Sequence, residues 1–212
     1  MSDNSSLDDY ILSHISAEPE HLRRLYRHTH LRHLYPRMCS GHLQGRMLSM
    51  LSAMISPRRV LELGAYTGYS ALCLAEGLAP DGHLHTIEVD DEMEDELLEL
   101  FATAPGGDRI TLHIGDAEEL IGQIDEVWDL VYIDANKRRY VEYLDLVLPR
   151  IRPGGFIIAD NTLWDGKVTD TVKNHDAQTV ALDRFNTYVA SRTDLETVIL
   201  PLRDGLTLIR RR

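Results

Sequence analysis

From residue 59 onward, short apolar runs alternate with stretches of helical spacing, a pattern that few folds can satisfy. The runs are Val60–Leu63, Leu84–Val89, Ile110–Ile114, Leu130–Ile133 and Phe156–Ala159. Between them Tyr69–Leu78, Asp91–Thr103, Ala117–Ile121 and Tyr140–Ile151 read as helices. Apolar strands separated by helices predict a parallel sheet covered on both faces. The C-terminal end differs. Glu196–Leu200 and Leu206–Ile209 are joined by the turn-rich Pro201-Leu-Arg-Asp-Gly205, which suits an antiparallel pair at the sheet edge.

Residues 7–55 carry helical periodicity and no strand-like alternation. Leu22, Leu25, Tyr26 and Thr29 recur on one face, as do Leu43, Met47, Leu48, Leu51 and Met54–Ile55, with Gly41 and Ser56-Pro57 as punctuation. The expectation is an α/β fold, a doubly wound, mostly parallel sheet. Residues 1–56 form a helical cap within the same domain and 57–212 the core.

At 212 residues with 43% hydrophobic and 26% charged residues, the chain can bury one sizeable core and is not disordered overall. Twenty-two Lys+Arg against 34 Asp+Glu leave a net charge of −12, which argues against a surface that coats nucleic acid. Two cysteines, Cys39 and Cys73, make no disulfide framework. With an acidic N-terminus unlike a signal peptide and no apolar run of membrane-spanning length, a cytoplasmic protein is expected.

In an open α/β sheet, ligands sit beyond the C-terminal ends of the strands, so the residues that follow each strand carry the functional information. Glu62-Leu63-Gly64-Ala65-Tyr66-Thr67-Gly68-Tyr69-Ser70 runs from a strand through a glycine turn into a helix. Its G-x-x-x-G spacing departs from the G-x-G-x-x-G of pyrophosphate-binding turns and equally suits a plain strand-to-helix turn. Glu88 ends the second strand, where a carboxylate can accept both hydroxyls of a ribose. Asp116 follows the third and could accept from the amine of adenine, or simply cap a helix. Asp134 ends the fourth strand, with Lys137 three residues on, and Asp160-Asn161 end the fifth. Two carboxylates and an amide oxygen at the ends of neighbouring strands form a hard oxygen set suited to Mg²⁺, with Ca²⁺ or Mn²⁺ also accommodated. Without a cation the carboxylates would repel and one would take up a proton.

Taken together, Val60-Leu-Glu-Leu-Gly-Ala-Tyr-Thr-Gly-Tyr-Ser70, Ile87-Glu88, Gly115-Asp-Ala117 and Tyr132-Ile-Asp-Ala-Asn-Lys137 resemble the cation-dependent class I O-methyltransferases. That family includes the catechol and caffeoyl-CoA enzymes and bacterial relatives. The likeness continues through Gly154-Gly155, Ala159-Asp-Asn-Thr-Leu-Trp-Asp-Gly166, Arg184-Phe-Asn186 and Leu200-Pro-Leu-Arg-Asp-Gly-Leu206, with Met38-Cys-Ser40 and Gln44-Gly45 resembling its N-terminal segment. The resemblance implies a seven-stranded sheet and S-adenosylmethionine as cofactor. Gly64, Tyr66 and Ser70 would hold the methionine end, with Ser40 bordering it and Glu62 and Asp134 counted to the same site. Glu88 would take the ribose, and Asp116 and Ala117 would border the adenine. Asp134, Asp160 and Asn161 would bind the divalent metal, with Lys137 as the catalytic lysine. A homodimer is also implied.

The acceptor is less determined. His21–Arg37 holds five arginines and four histidines with no acidic residue. It suits either a cap that attracts an anionic acceptor or a solvated helix face. A small hydroxylated molecule is the expected acceptor. A hydroxylated uridine in tRNA is the alternative, since some bacterial members methylate one, and Lys137-Arg138-Arg139 and Arg210–Arg212 could extend a basic surface toward it. A nicotinamide-dependent oxidoreductase would need the pyrophosphate turn this chain lacks, and an inactive binding protein would have lost a metal ligand or the lysine. Trp164, Tyr35 and His175 are further candidates for the acceptor side.

Overall fold

The computed structural model describes residues 5–170 and 176–212. It contains one seven-stranded sheet: β1 Arg59–Leu63, β2 His83–Glu88, β3 Ile110–Ile114, β4 Trp128–Ile133, β5 Ile151–Asp160, β6 Leu195–Leu200 and β7 Leu206–Arg211. The strand order is β3-β2-β1-β4-β5-β7-β6. The first five strands pair in parallel, and β7 runs antiparallel to both β5 and β6. The doubly wound prediction and the antiparallel edge pair are both observed.

Alternation along the strands builds two cores. Leu61, Leu63, Val131, Ile133 and Ile157 point to one face and pack with α6 Ala117–Leu120, α7 Tyr140–Val147 and α8 Ala177–Ser191. Val60, Leu84, Leu130, Tyr132 and Ile158 point to the other, beneath α2 Glu20–Arg32, α3 Gly41–Ile55, α4 Tyr69–Ala75 and α5 Glu94–Thr103. Each fully buried Leu or Ile stabilises the fold by roughly 1.5–3 kcal/mol. A further helix, α1, spans Ser5–His14. Among the described residues no helix is long and apolar enough to cross a membrane.

The structure departs from the sequence reading in three places. Tyr140–Ile151 is not one helix: α7 stops at Val147, a 3₁₀ turn spans Leu148–Arg150, and Ile151 already opens β5. The proline at 149 removes an amide donor and favours that break. Helix α8 went unpredicted because one of its buried positions is Thr179, alongside Leu182, Phe185 and Val189. Its start is nonetheless marked by Asp176, whose side chain accepts from the Gln178 and Thr179 amides. Finally, α3 buries its apolar stripe only in part: Leu48 is fully buried and Met47, Leu51 and Ile55 are half-buried against the core, while the most buried face is another. Gln44, Gly45, Leu48 and Ser52 face inward, and Met54 is 77% exposed. Close approach to α4 decides this: a Cβ at Gly45 would stand 2.7 Å from the Tyr69 ring, and the Ser52 hydroxyl donates to the Leu74 carbonyl at 2.7 Å.

Candidate active site

The chain runs from β1 outward through β2 and β3, then crosses back to β4 on the other side of β1. A crevice opens above the strand ends where the direction reverses. A cavity of about 580 Å³ occupies it. Ser40, Gly64, Tyr66, Ser70, Glu88, Asp116, Ala117, Asp134, Lys137, Asp160 and Asn161 all line this cavity.

The turn after β1 is held by backbone geometry that only some residues tolerate. Gly64 has φ +97°, and a Cβ there would meet the Asp134 carbonyl oxygen at 2.6 Å. The Gly64 amide donates to Ile87 at 2.9 Å, which ties the turn to the end of β2. Glu88, 8% exposed, locks the same region: its carboxylate accepts from the amides of Tyr66, Val89 and Asp90 at 2.7, 2.9 and 3.0 Å. Asp116 both caps α6, accepting from the Glu118 amide at 2.8 Å, and lines the cavity. The capping reading is observed, and the place of Asp116 on the cavity leaves its side chain near enough to meet a ligand there.

Glu62 departs from its expected place. It is fully buried below the turn, does not line the cavity, and accepts from the Thr86 hydroxyl at 2.6 Å. Burial pushes its carboxyl up to about 8, the hydroxyls of Ser70 and Thr86 offsetting only part of the effect. It supports the turn as a neutral acid.

Next along the strand ends stand the acids that close β4 and β5. Asp134 pairs with Lys137 within one turn of chain. Burial pushes the Asp134 carboxyl up and Asp160 adds to the push, while the lysine ammonium pulls it down. For Lys137, burial acts to lower the ammonium, yet the facing Asp134 carboxylate prevails and holds it well above the usual lysine range. So paired, the lysine carries its proton firmly. Asp160, 3% exposed, accepts from the Tyr132 hydroxyl at 2.7 Å, the Gln44 amide group and the Asn161 backbone amide at 2.7 Å. Asn161 sits at φ +58°, a left-handed position that asparagine tolerates.

Gln44 and Arg203 were not assigned roles from sequence. Gln44 is 1% exposed and joins the cap to the acids: it donates to Asp160 and accepts from the Arg203 guanidinium at 3.0 Å. Arg203, in the β6–β7 joint at φ +49°, also donates to the carbonyls of Arg37, Cys39 and Ser40. One guanidinium thus ties four cap residues, Arg37, Cys39, Ser40 and Gln44, to the cavity rim. The available signals were the buried glutamine that breaks the apolar spacing of α3 and the arginine inside a tight turn.

A family model described as O-methyltransferase matches residues 12–212. The chain belongs to the O-methyltransferase family. The caffeoyl-CoA O-methyltransferase of Stellaria longipes is 30% identical, covering 98% of this chain and 91% of its own. The O-methyltransferase TomG from Streptomyces achromogenes, involved in tomaymycin synthesis and solved with SAM, superposes with a TM-score of 0.90 at 30% identity, covering 100% and 99% of the two chains. An O-methyltransferase from Bacillus cereus solved with SAH gives 0.89 at 26% identity, covering 98% and 97%.

In this O-methyltransferase the acceptor-side candidates separate. Trp164 lines the cavity, and its indole Nε1 is buried without a hydrogen-bond partner among the described residues. Tyr35 is 68% exposed and does not line it, and His175 lies outside the described residues. Much of the expected basic surface is internally engaged. Arg23 and Arg24 pair with Glu20, Arg139 with Glu118 and Arg210 with Glu196, while Arg211 donates to the carbonyls of Leu148 and Ile151.

Proposed function

We propose that the chain transfers the methyl group of S-adenosylmethionine to a hydroxyl of a small vicinal-diol acceptor, such as a catechol, held with a divalent cation. One observation carries this reading: a single cavity is lined by Glu88 and the Gly64 turn together with Asp134, Lys137, Asp160 and Asn161. The relatives solved with SAM and SAH and the caffeoyl-CoA relative support it.

Glu88 would accept the ribose hydroxyls, Asp116 and Ala117 would border the adenine, and Ser40, Tyr66 and Ser70 would close around the methionine end. The donor set of Asp134, Asp160 and Asn161 fits a hard cation. Two buried carboxylates call for more positive charge than the Lys137 ammonium supplies. Mg²⁺ suits it best, and Ca²⁺ and Mn²⁺ use the same donors.

When bound, the cofactor supplies an electrophilic methyl carbon, and the cation supplies Lewis acidity that lowers the pKa of a chelated hydroxyl. The remaining work falls to side chains. Asp134, Asp160 and Asn161 would hold the cation, and the cation's Lewis acidity would act on an acceptor hydroxyl bound beside it. Gln44 and Tyr132 hold Asp160 in place by hydrogen bonds. Lys137 would act as base only after releasing its own proton to solvent, which a cation drawing on the Asp134 carboxylate would favour; the neutral amine would then accept the hydroxyl proton.

Labelled methyl transfer from S-adenosylmethionine tests the reading, with Mg²⁺, vicinal-diol phenols and caffeoyl-CoA in one arm and bulk tRNA in the other. Label in the diols that EDTA abolishes is expected. Transfer that survives EDTA would remove the cation, and label in tRNA alone would overturn the acceptor class.

A further inference from the structure

Outside the cavity, a second group of donors gathers where the cap meets the core. Helix α2 ends at Arg32, and His33 follows in extended geometry, its amide closing the helix on the Thr29 carbonyl. Its ring Nε2 lies 3.0 Å from Glu96 Oε1, in the first turn of α5. His28, one helical turn earlier, brings its Nε2 to within 3.6 Å of the same oxygen. One donor atom from each of the three residues lies within 4.8 Å of the other two.

In a tetrahedral zinc site with ligands about 2.0–2.1 Å from the ion, donor atoms stand roughly 3.3–3.4 Å from one another. The two histidine–glutamate separations bracket that value. The two histidine donors lie within 4.8 Å of each other, and the His28 side chain, 51% exposed, has room to adjust. The chemistry agrees with the geometry. Two imidazoles and one carboxylate are donors for a borderline cation such as Zn²⁺, whereas the all-oxygen set at Asp134, Asp160 and Asn161 suits a hard one.

Placement adds a consequence. His28 and His33 belong to the cap and Glu96 to the core, so one ion would cross-link segments more than 60 residues apart in sequence. The His33 ring also packs edge-on against Tyr66 at 5.7 Å between centroids, and Tyr66 lines the cavity. We propose that His28, His33 and Glu96 form a Zn²⁺ site, with water in the remaining position, that clasps α2 onto α5 at the cavity rim.

The test uses the full chain without an affinity tag, in excess Mg²⁺ so that the oxygen set is not competed for by trace metal. Zn²⁺ affinity and stoichiometry are measured by competition with a chromophoric chelator, and geometry by the visible absorption of Co²⁺ in its place. One equivalent of Zn²⁺ is expected, with the absorption of a four-coordinate Co²⁺ and a rise in Tm on adding Zn²⁺. His28→Ala, His33→Ala and Glu96→Gln should each weaken binding roughly tenfold or more and abolish the Tm rise. His28 is exposed, so its replacement leaves the fold intact and keeps the test valid should His33→Ala fold poorly. Binding unchanged in both histidine variants, Zn²⁺ lost only in Asp160→Asn, or no stoichiometric Zn²⁺ at all would each overturn the site.

Discussion

Replacing Glu62 by glutamine should change how stability depends on pH rather than stability at one pH. Glu62 is fully buried, and its carboxyl is pushed by burial from an ordinary 4.5 up to about 8. The unfolded chain therefore releases this proton from pH 4.5 upward, while the folded chain keeps it until about pH 8. The folded state binds more protons across that window, so stability falls as pH rises through it and levels off beyond. Each pH unit is worth about 1.4 kcal/mol, and the whole window on the order of 5 kcal/mol. Glutamine keeps the shape and an oxygen for the Thr86 hydroxyl but cannot ionise. Its extra amide hydrogens need acceptors, which costs about 1–3 kcal/mol at every pH. Urea midpoints of both proteins at pH 5, 6, 7 and 8 give the difference, in which all shared titrating groups cancel. Glu62→Gln should begin less stable at pH 5 and gain on the parent by about 1.4 kcal/mol per pH unit up to pH 7.5. Parallel profiles would mean that the acid titrates normally and would refute the buried neutral carboxyl.

Three other changes probe the site. Lys137→Ala should leave S-adenosylmethionine affinity within about twofold and lower kcat by roughly 10²–10⁴; unchanged turnover in the methyl-transfer assay would remove the lysine from proton transfer. Gly64→Ala places a Cβ 2.6 Å from the Asp134 carbonyl at φ +97°, so a loss of at least about 2–3 kcal/mol is expected. Tm would then drop by roughly 4–12 °C for a chain of this size. A Tm equal to the parent's would show that the turn relaxes freely. Arg203→Ala removes the guanidinium that holds the carbonyls of Arg37, Cys39 and Ser40. Faster amide hydrogen exchange confined to the 37–45 segment is expected, and exchange identical to the parent's would show that the cap is held by other contacts.

Those features are legible in sequence whose cause is local. A strand that alternates sides, a glycine at a forced turn and an acid at the last position of an apolar run are each set by a few neighbouring residues. So the sheet, the edge pair and the cavity-lining acids Glu88, Asp134 and Asp160 could all be read from the chain. Asp116 shows the limit of that reasoning, since capping a helix and facing a ligand require the same residue.

Whatever depended on approach between distant segments could not be read that way. Helix α3 turns Gln44 and Gly45 inward because α4 comes close enough to exclude any Cβ at 45, and no spacing rule within α3 contains that distance. Glu62 lies beside the cavity motif in sequence but beneath it in space, where neighbouring layers strip its water and keep it neutral. Arg203 meets Ser40 across 163 residues, and His33 meets Glu96 across 63. The sequence by itself determined the strands, most of the helices and the chemistry available at the strand ends, because backbone propensity and side-chain period act over a few residues. Only the tertiary structure decided which of those groups share a cavity, which lose their solvent, and which pair across the cap. Burial and Coulomb interaction depend on distance in space, and the packing of the layers sets that distance.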